Sequence, residues 1–403
     1  MKIKINLAAF AWLLLTLNSQ LTTAFAQGSL APPGAPAPTM KTLTQIEPRT
    51  PISSAPFTIT QPGSYYLATN LTVSTGDAID INASGVTLDL NGFTISSTAA
   101  SATGNGILIS SRTNITIFNG YIQGGVTNNT GGVFGGGGFG SGIYASGACY
   151  NLRVCGVTVS SCLYYGILLF TGYSTLIESC AAQNIGTYGL YADTVSHSTA
   201  INVGNTAIYG NTVSDCSASG GGSYGVYAYA VQNCYGQTVD GTGIEANTAE
   251  NCYGTASGTY GTGVDAAGAQ NCYGIAGSGG IGVEAGIATG CSGSGGNFGI
   301  QASAAAENCS GSSDGGIGID CSLGMVCFSY GETGSGYAGI YGFIVQSSYG
   351  YNGGSGYGVY AYDMANLSYG FSNTGTGLRA FIANSCDGGG APSLSVSFKY
   401  NMP

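Results

Sequence analysis

Charged residues are scarce in this chain of 403 residues. Asp, Glu, Lys and Arg together make up 6% of it, and only 8 residues are Lys or Arg. The formal net charge is −10. Nucleic acids and anionic membranes attract proteins through clustered Lys and Arg side chains. The composition therefore excludes both as main partners.

Histidine and tryptophan are nearly absent as well, with one residue of each. A single His excludes a metal site built from several histidines, and we interpret His197 as a loop or outer-strand residue without a function. The one Trp, Trp12, lies close to the N-terminus. The chain also lacks Cys-x-x-Cys and phosphate-loop motifs, and beyond residue 26 no apolar run is long enough to span a bilayer.

The N-terminal residues have the layout of an export signal. Lys2 and Lys4 precede an apolar run from Leu7 to Leu17, and Ala24-Phe25-Ala26 follows. This pattern predicts a signal peptide over residues 1–26 and a secreted or cell-surface protein. Loss of the two lysines lowers the formal charge to −12. Residues 27–56 are rich in Pro and Ala without periodicity, which predicts a flexible tether.

What the chain has in abundance is glycine, 71 residues, in a repeating pattern. The phrase Asn-Cys-Tyr-Gly occurs at 233–236, 251–254 and 271–274, each time after a Gly-[Val/Ile]-x-Ala segment. The Gly of each Gly-[Val/Ile/Leu] pair marks the start of a repeat, and Ala207 takes this place in one repeat. Including Ala207, the markers are 17 to 24 residues apart, with the glycines at 142, 166, 189, 225, 243, 263, 282, 299, 318, 339, 358 and 377. Short apolar segments with this period predict a β-solenoid, in which equivalent residues stack about 4.8 Å apart.

The first coils carry a family resemblance. The runs Gln61–Leu67 and Gly85–Gly92 resemble the opening coils of secreted bacterial right-handed parallel β-helix proteins of the pectate-lyase-like superfamily. The resemblance is specific over about residues 57–125. After residue 125 only the general solenoid architecture is similar. It implies a right-handed winding, as does the usual crossover of parallel strands, although a step of 18 residues also suits a left-handed triangular coil.

The predicted fold is therefore an all-β, single-stranded right-handed parallel β-helix of about 15 coils over residues 57–403. The spacing within the coils predicts wider three-strand coils over 57–206 and narrower Gly/Cys-rich coils over 207–391, because about four residues are lost near 205. Residues 392–403 alternate like a strand and are predicted to cap the C-terminal end.

Ten of the 13 cysteines fall at a similar distance from their coil's marker, which predicts that they stack in one column and take over a turn position held by Asn91 and Asn119. We interpret them as small buried residues in a corner. Disulfides between coils suit an exported protein, but parallel side chains fit the disulfide torsion poorly. Zinc is disfavoured because it needs four converging ligands. The ten are Cys155, Cys180, Cys216, Cys234, Cys252, Cys272, Cys291, Cys309, Cys327 and Cys386.

A second column is predicted to face solvent, because strand side chains alternate between the two faces. Its members run from tyrosines through carboxylates to tyrosines again: Tyr144, Leu168, Tyr191, Tyr209, Tyr227, Glu245, Asp265, Glu284, Gln301, Asp320, Tyr341, Tyr360 and Arg379. One interpretation is that the tyrosines merely stack and the acids keep the sheet soluble. Like charges on adjacent strands repel, however, so aligned carboxylates cost stability. This favours the interpretation that the column has a function.

The functional interpretation is a groove that binds an extracellular polysaccharide or a cell-surface glycan. Its predicted ligand-binding residues are Tyr191, Tyr209, Tyr227, Glu245, Asp265, Glu284, Asp320, Tyr341 and Tyr360. No cofactor is required, and Glu245, Asp265 and Glu284 are the candidates for a Ca²⁺ site.

Catalysis is the alternative, with Asp265 and Glu284 as the acid pair of a polysaccharide hydrolase or lyase. Lyases of the resembled superfamily use an Arg or Lys base, and the one basic residue in the column, Arg379, lies three coils beyond Asp320. The Asn-Thr-Asp, Asp-Asp, Gly-His-Gly and Arg-Ile-Lys motifs of polygalacturonase-like hydrolases are absent. We therefore predict a non-catalytic glycan-binding protein. A polysaccharide-degrading enzyme and a purely structural or self-associating rod remain the alternatives.

Overall fold

The computed structural model describes residues 48–129 and 132–402 and shows a parallel β-solenoid. Its 37 main strands pair in parallel from coil to coil, and the described residues contain no helix. The solenoid has about 18 turns, slightly more than the predicted 15, because strands at both ends pair in register with their neighbours. The predicted signal peptide lies outside the described residues, as does the tether up to residue 47.

The coils before residue 186 contain strands of 3 to 13 residues. These strands are Thr50–Ile52, Phe57–Ile59, Gly63–Leu67, Leu71–Val73, Ile79–Ile81, Val86–Asp89, Thr94–Ser97, Asn105–Ser110, Thr113–Gln123, Ser141–Ser146, Tyr150–Cys162, Tyr165–Phe170, Leu176–Glu178 and Ala181–Ile185. A hairpin of Gly125–Asn129 and Val133–Gly137 is inserted between two of these coils. Thr50–Ile52 lies within the range predicted as tether, yet it pairs with Tyr65–Leu67 and buries Ile52.

The later coils have a simpler plan, a long bent strand followed by a short one. The long strands are Tyr188–Ser196, Thr206–Ser214, Tyr224–Gln232, Thr242–Glu250, Thr262–Gln270, Ile281–Thr289, Phe298–Glu307, Ile317–Cys327, Ala338–Gln346, Tyr357–Asn366, Leu378–Asn384 and Leu394–Tyr400. The short strands are Thr199–Val203, Ser217–Gly221, Tyr235–Thr238, Tyr253–Ala256, Tyr273–Ala276, Ser292–Gly295, Ser310–Ser313, Tyr330–Thr333, Tyr349–Asn352, Tyr369–Ser372 and Asp387–Gly389.

One buried column records how the solenoid narrows, and we call it the graded column. Aligned strand partners in it shrink along the chain, in the order Leu71, Ile95, Ile122, Val159, Ala182, Ala200, Ala218, Gly236 and Gly254. From Gly236 onward it stays Gly and faces the marker glycines, so that a Cβ on Gly254 would lie 1.9 Å from the carbonyl oxygen of Gly263. From Gly236 onward both facing columns are glycine, and the two sides of the core approach to backbone contact.

The shortening of the coil lies at Asp193. Phe170 and Leu176 are separated by a loop, whereas their partners Ala192 and Thr194 are separated by Asp193 alone. This removes four residues, as predicted, but one coil before the predicted position. The marker Gly189 is followed after nine residues by Ser198, not by Cys, so a count based on Cys overlooks this coil.

The Asn and Cys columns are neighbours, and the expectation that Cys replaces Asn is wrong. Asn119, Asn233, Asn251 and Asn271 all hold the turn at positive φ, which Asn and Gly adopt more readily than other residues. Their side chains form an amide ladder, with Asn251 donating to Asn233 at 3.4 Å and Asn271 to Asn251 at 3.3 Å. In the coils that have a column cysteine, for example Cys234, it directly follows the turn residue and is buried.

Two of the ten cysteines predicted for the Cys column do not belong to it. Cys155 pairs with Glu178, and Cys327 pairs with Glu307, which places each two residues before the column. The column position is held by Val157 and Ser329 in these coils. The strand register shifts between Gln301 and Ala305 and again between Cys321 and Met325. The number of residues from the marker glycine to the column therefore changes near Cys327.

Candidate functional site

The predicted column of tyrosines and acids is an unbroken ladder of paired residues. Every one of its 13 members is the aligned strand partner of the next, from Tyr144 through Glu245, Asp265 and Glu284 to Arg379. We call it the Tyr/acid ladder. Adjacent members are separated by one strand spacing, about 4.8 Å. Its register follows from the Gly marker two residues before each member.

The ladder is half-buried rather than fully exposed to solvent. Most members have intermediate exposure, Leu168 is 3% exposed and Asp320 is 9% exposed. Asp320 is held in place because it accepts a hydrogen bond of 3.0 Å from the backbone N–H of Ser322. Only Arg379, at the C-terminal end, is exposed. The side chains beside the ladder therefore form walls, and the acids lie in a depression.

The depression consists of two adjoining grooves along the acidic part of the ladder. One, of about 530 Å³, is lined by Asp265, Glu284, Gln301 and Asp320, and the other, of about 380 Å³, by Tyr209, Tyr227 and Glu245. Ala267 lines both. We call the pair the acidic groove.

The acidic groove opens because the neighbouring column becomes small beside the acids. Two residues after each ladder member, the chain places Asn247, Ala267, Gly286 and Ser303. The same column carries large side chains outside this stretch, with Tyr229 67% exposed at one end and Phe343 and Tyr362 beyond the other. Sequence reasoning missed these four residues, although their change in size could have been read from the same alignment.

Aromatic stacks bound the acidic groove at both ends. The rings of Tyr209 and Tyr227 are 5.0 Å apart and nearly parallel, at 15°, and Tyr191 lies 4.2 Å from Tyr209. At the other end Tyr341 and Tyr360 stack at 5.0 Å and 16°, and the Arg379 guanidinium lies 4.9 Å from the Tyr360 ring centre. Stacked rings and a cation over a ring are both favourable, so the tyrosine faces are held in fixed orientations.

The acids share a low-polarity environment, which shifts their protonation. Burial raises the pKa of Asp265. Burial and then the charge of Asp265 raise the pKa of Glu284, and the same two causes raise that of Glu245, partly offset by a hydrogen bond from Thr242. Burial also raises the pKa of Asp320, against the hydrogen bonds from Ser322. Asp265 is thus the central charge of the ladder.

These shifts predict that Asp265→Asn raises the melting temperature at neutral pH, by roughly 2 °C. A carboxyl whose pKa is raised by folding contributes most to the free energy of unfolding below its ordinary pKa, here 3.8. That stabilising contribution is lost as the pH rises through the pKa of the folded protein. Neutralising Asp265 also relieves Glu245 and Glu284. Circular dichroism melts at neutral pH and below pH 3.8 provide the measurement, and the difference should vanish at the lower pH. Asp314→Asn, at an exposed bend, is the control; an equal gain there would contradict the explanation.

The structure aligns the three Ca²⁺ candidates Glu245, Asp265 and Glu284 on consecutive coils, in a line rather than around one point. Within residues 48–129 and 132–402 no three His, Cys, Asp or Glu side chains converge on a position for a metal ion. His197 lies in the turn column, with Nε2 3.8 Å from a carboxylate oxygen of Asp215. It is remote in the fold from the acidic groove, whose lining does not include it.

Comparison with models of known protein families finds no match, and comparison with curated proteins finds none either. In the part of the chain that the structure describes, no helix has the length and apolar character needed to cross a membrane.

Proposed function

We propose that this is an exported, non-catalytic protein that binds a polysaccharide along the Tyr/acid ladder. The observation that carries the proposal is the acidic groove, bounded at each end by tyrosine rings in fixed orientations. An extended sugar chain needs a linear site, and the ladder is linear because it follows the solenoid axis. Export from the cell through residues 1–26 and a position outside the cell or on its surface are parts of the same proposal.

The chemistry of the groove suits sugar rings. The apolar face of a sugar stacks on an aromatic ring, and Tyr227 and Tyr341 present such rings beside the acids. Carboxylates accept hydrogen bonds from sugar hydroxyls, and charge-assisted bonds of this kind are the stronger ones. Gln301, in the middle of the acids, adds both a donor and an acceptor.

Membership of the pectate-lyase-like superfamily and a right-handed winding belong to the proposal too. The parallel solenoid and the resemblance of residues 57–125 support the proposal. The proposal leaves out the superfamily's lyase chemistry, because Arg379 is the one basic residue of the ladder and stacks on Tyr360, away from Asp265 and Glu284.

The test is retention of the mature protein on insoluble cellulose, chitin and calcium polygalacturonate, with product release measured in the same samples. We expect retention on at least one glycan without release of reducing ends or unsaturated products. A variant with Glu245→Gln, Asp265→Asn and Glu284→Gln should lose much of that retention. If Ca²⁺ raises the melting temperature of this variant as much as that of the wild type, the three acids are not a Ca²⁺ site.

The second candidate is a glycoside hydrolase with Asp265 and Glu284 as the acid pair. The raised pKa of Glu284 favours it, because a general acid needs a pKa above that of an ordinary carboxyl. Neighbouring strands are about 4.8 Å apart, close to the roughly 5–5.5 Å between the carboxyls of retaining enzymes. Product that disappears in Asp265→Asn or Glu284→Gln would establish this function. Neither retention nor product on any glycan would favour the structural rod.

A further inference from the structure

Six consecutive coils place a cysteine at the same buried corner, and we call this set the thiol ladder. Its members follow one another through paired strands and are 2–4% exposed: Cys216, Cys234, Cys252, Cys272, Cys291 and Cys309. All six are free thiols. Each lies near two backbone carbonyls; the Sγ of Cys234, for example, is 3.1 Å from the Gln232 oxygen and 3.6 Å from the Val213 oxygen.

Packing alone does not explain the thiols, because serine holds the same corner elsewhere. Ser198, Ser329, Ser348 and Ser368 lie in the same column and are 1–4% exposed. The Ser329 hydroxyl makes the equivalent contacts, 2.7 Å to the Cys327 oxygen and 3.4 Å to the Ala306 oxygen. Serine therefore fits the corner, and an unbroken run of six thiols calls for a property that serine lacks.

Neighbouring thiols of the ladder interact with one another. Hydrogen bonding to Cys234 lowers the pKa of Cys216, and the same bond raises that of Cys234. Cys252 and Cys272 show the same opposite shifts. The side chains of neighbouring thiols lie side by side along the solenoid axis, because their strands pair in register.

The spacing suits a metal bridge better than a disulfide. Stacked residues are separated by about 4.8 Å, whereas the Cβ atoms of a disulfide are about 3.5–4.5 Å apart and its torsion is near a right angle. A metal–thiolate bond is about 2.3 Å long, so an ion midway between two sulfurs in a line spans roughly 4.6 Å. Zinc would need four such ligands, but soft monovalent ions bind well to thiolates.

We propose that adjacent cysteines of the thiol ladder bind Cu(I) ions, each held in a line between two sulfurs. Binding releases one proton from each thiol, so that two thiolates and one Cu(I) leave a single negative charge. No electron is transferred, since copper enters and remains as Cu(I). Six thiols shared in pairs provide three sites.

A groove on the surface adjoins the first pair of the thiol ladder, Cys216 and Cys234. A surface groove of about 680 Å³ is lined by Cys216 and Cys234, together with the Asp215 carboxylate and the amide of Asn233. His197, a soft nitrogen donor, lines the same groove. Oxygen and nitrogen donors at the entrance can strip water from the ion before it reaches the thiols.

The test is an anaerobic titration of the whole protein with Cu(I) in the presence of a coloured Cu(I) chelator. We expect the protein to withdraw three ions per chain and its melting temperature to rise. A variant with all six cysteines changed to serine should withdraw none while keeping the circular dichroism spectrum of the wild type, because serine already occupies this corner in four other coils. Cys252→Ser alone should reduce the capacity from three ions to two, since it leaves one pair and one trio.

Cys386→Ser is the matched control. Cys386 has the same buried corner, with Sγ 3.3 Å from the Asn384 oxygen, but its neighbour in the column is Ser368 and not a thiol. Its loss should leave the capacity at three. Equal Cu(I) uptake by the six-serine variant would overturn the proposal. So would fewer than 13 titratable thiols in the unfolded, unreduced protein, because that would show that neighbouring cysteines are joined as disulfides.

Discussion

Replacing Gly254 with Ala is expected to lower the free energy of unfolding by about 3 kcal/mol or more, in the upper range for overpacked cores. A Cβ at this position would lie 1.9 Å from the Gly263 oxygen and 2.6 Å from its carbonyl carbon. Both are backbone atoms of the next coil, and they cannot move without breaking strand pairs. The methyl group would therefore push two coils apart.

Urea unfolding followed by circular dichroism measures this effect. Gly268→Ala is the matched control, because it is the same chemical change in the adjoining coil at a position with nothing within 4 Å of the new Cβ. It should be neutral or raise stability by about 0.5–1 kcal/mol, as expected for Gly to Ala in a strand. Similar losses in both variants would show that the narrow coils do not depend on facing glycines.

The double substitution Tyr209→Ala with Tyr227→Ala is expected to weaken glycan retention about 100-fold. Truncation of a buried aromatic anchor in an interface commonly costs a factor of about ten or more in affinity, and the two rings form one stacked platform at the end of the acidic groove. The measurement is depletion of the soluble protein by the glycan that the wild type binds.

Tyr253→Ala with Tyr273→Ala provides the control for this prediction. These rings stack in a similar way, 5.1 Å apart at 24°, but they lie on the short strands and do not line the acidic groove. Retention should be unchanged. Equal loss in the two double variants would mean that general stability, and not the groove, accounts for the effect, so melting temperatures of both should be compared.

The register of the solenoid was predictable because one residue type marks it. From Gly225 to Gly358, each marker glycine faces the backbone on the opposite side of the core at a distance that excludes a side chain, as Gly243 does with a Cβ position 2.5 Å from the Thr255 nitrogen. The ladder members then follow by strict alternation, and all 13 positions, including Glu284 and Tyr341, align as predicted.

Counting failed where the coil length changed. Cys327 was misplaced because extra residues around Ser322–Gly324 shift the register, and the shortening at Asp193 was missed because Ser198 stands where a Cys was expected. A count of residues assumes a constant coil, whereas insertions are absorbed locally as bulges.

The acidic groove could not be predicted from the ladder alone. Its depth depends on the sizes of Ala267 and Gly286 in the next column, and the raised pKa of Asp265 depends on how far that column leaves the carboxyl buried. Both are properties of several columns together. The sequence indicated which residues align but not how deeply they lie.

The graded column also bears on how the chain finds its correct partners while folding. From Leu71 to Ile95, Val159 and Ala182 the coils differ in size, so a strand that paired one coil out of step there would leave a void or a clash. From Gly236 onward the column repeats Gly, and a slip by one whole coil would leave this contact unchanged. In this column, the N-terminal coils therefore specify their strand partners more strictly than the coils from Gly236 onward do.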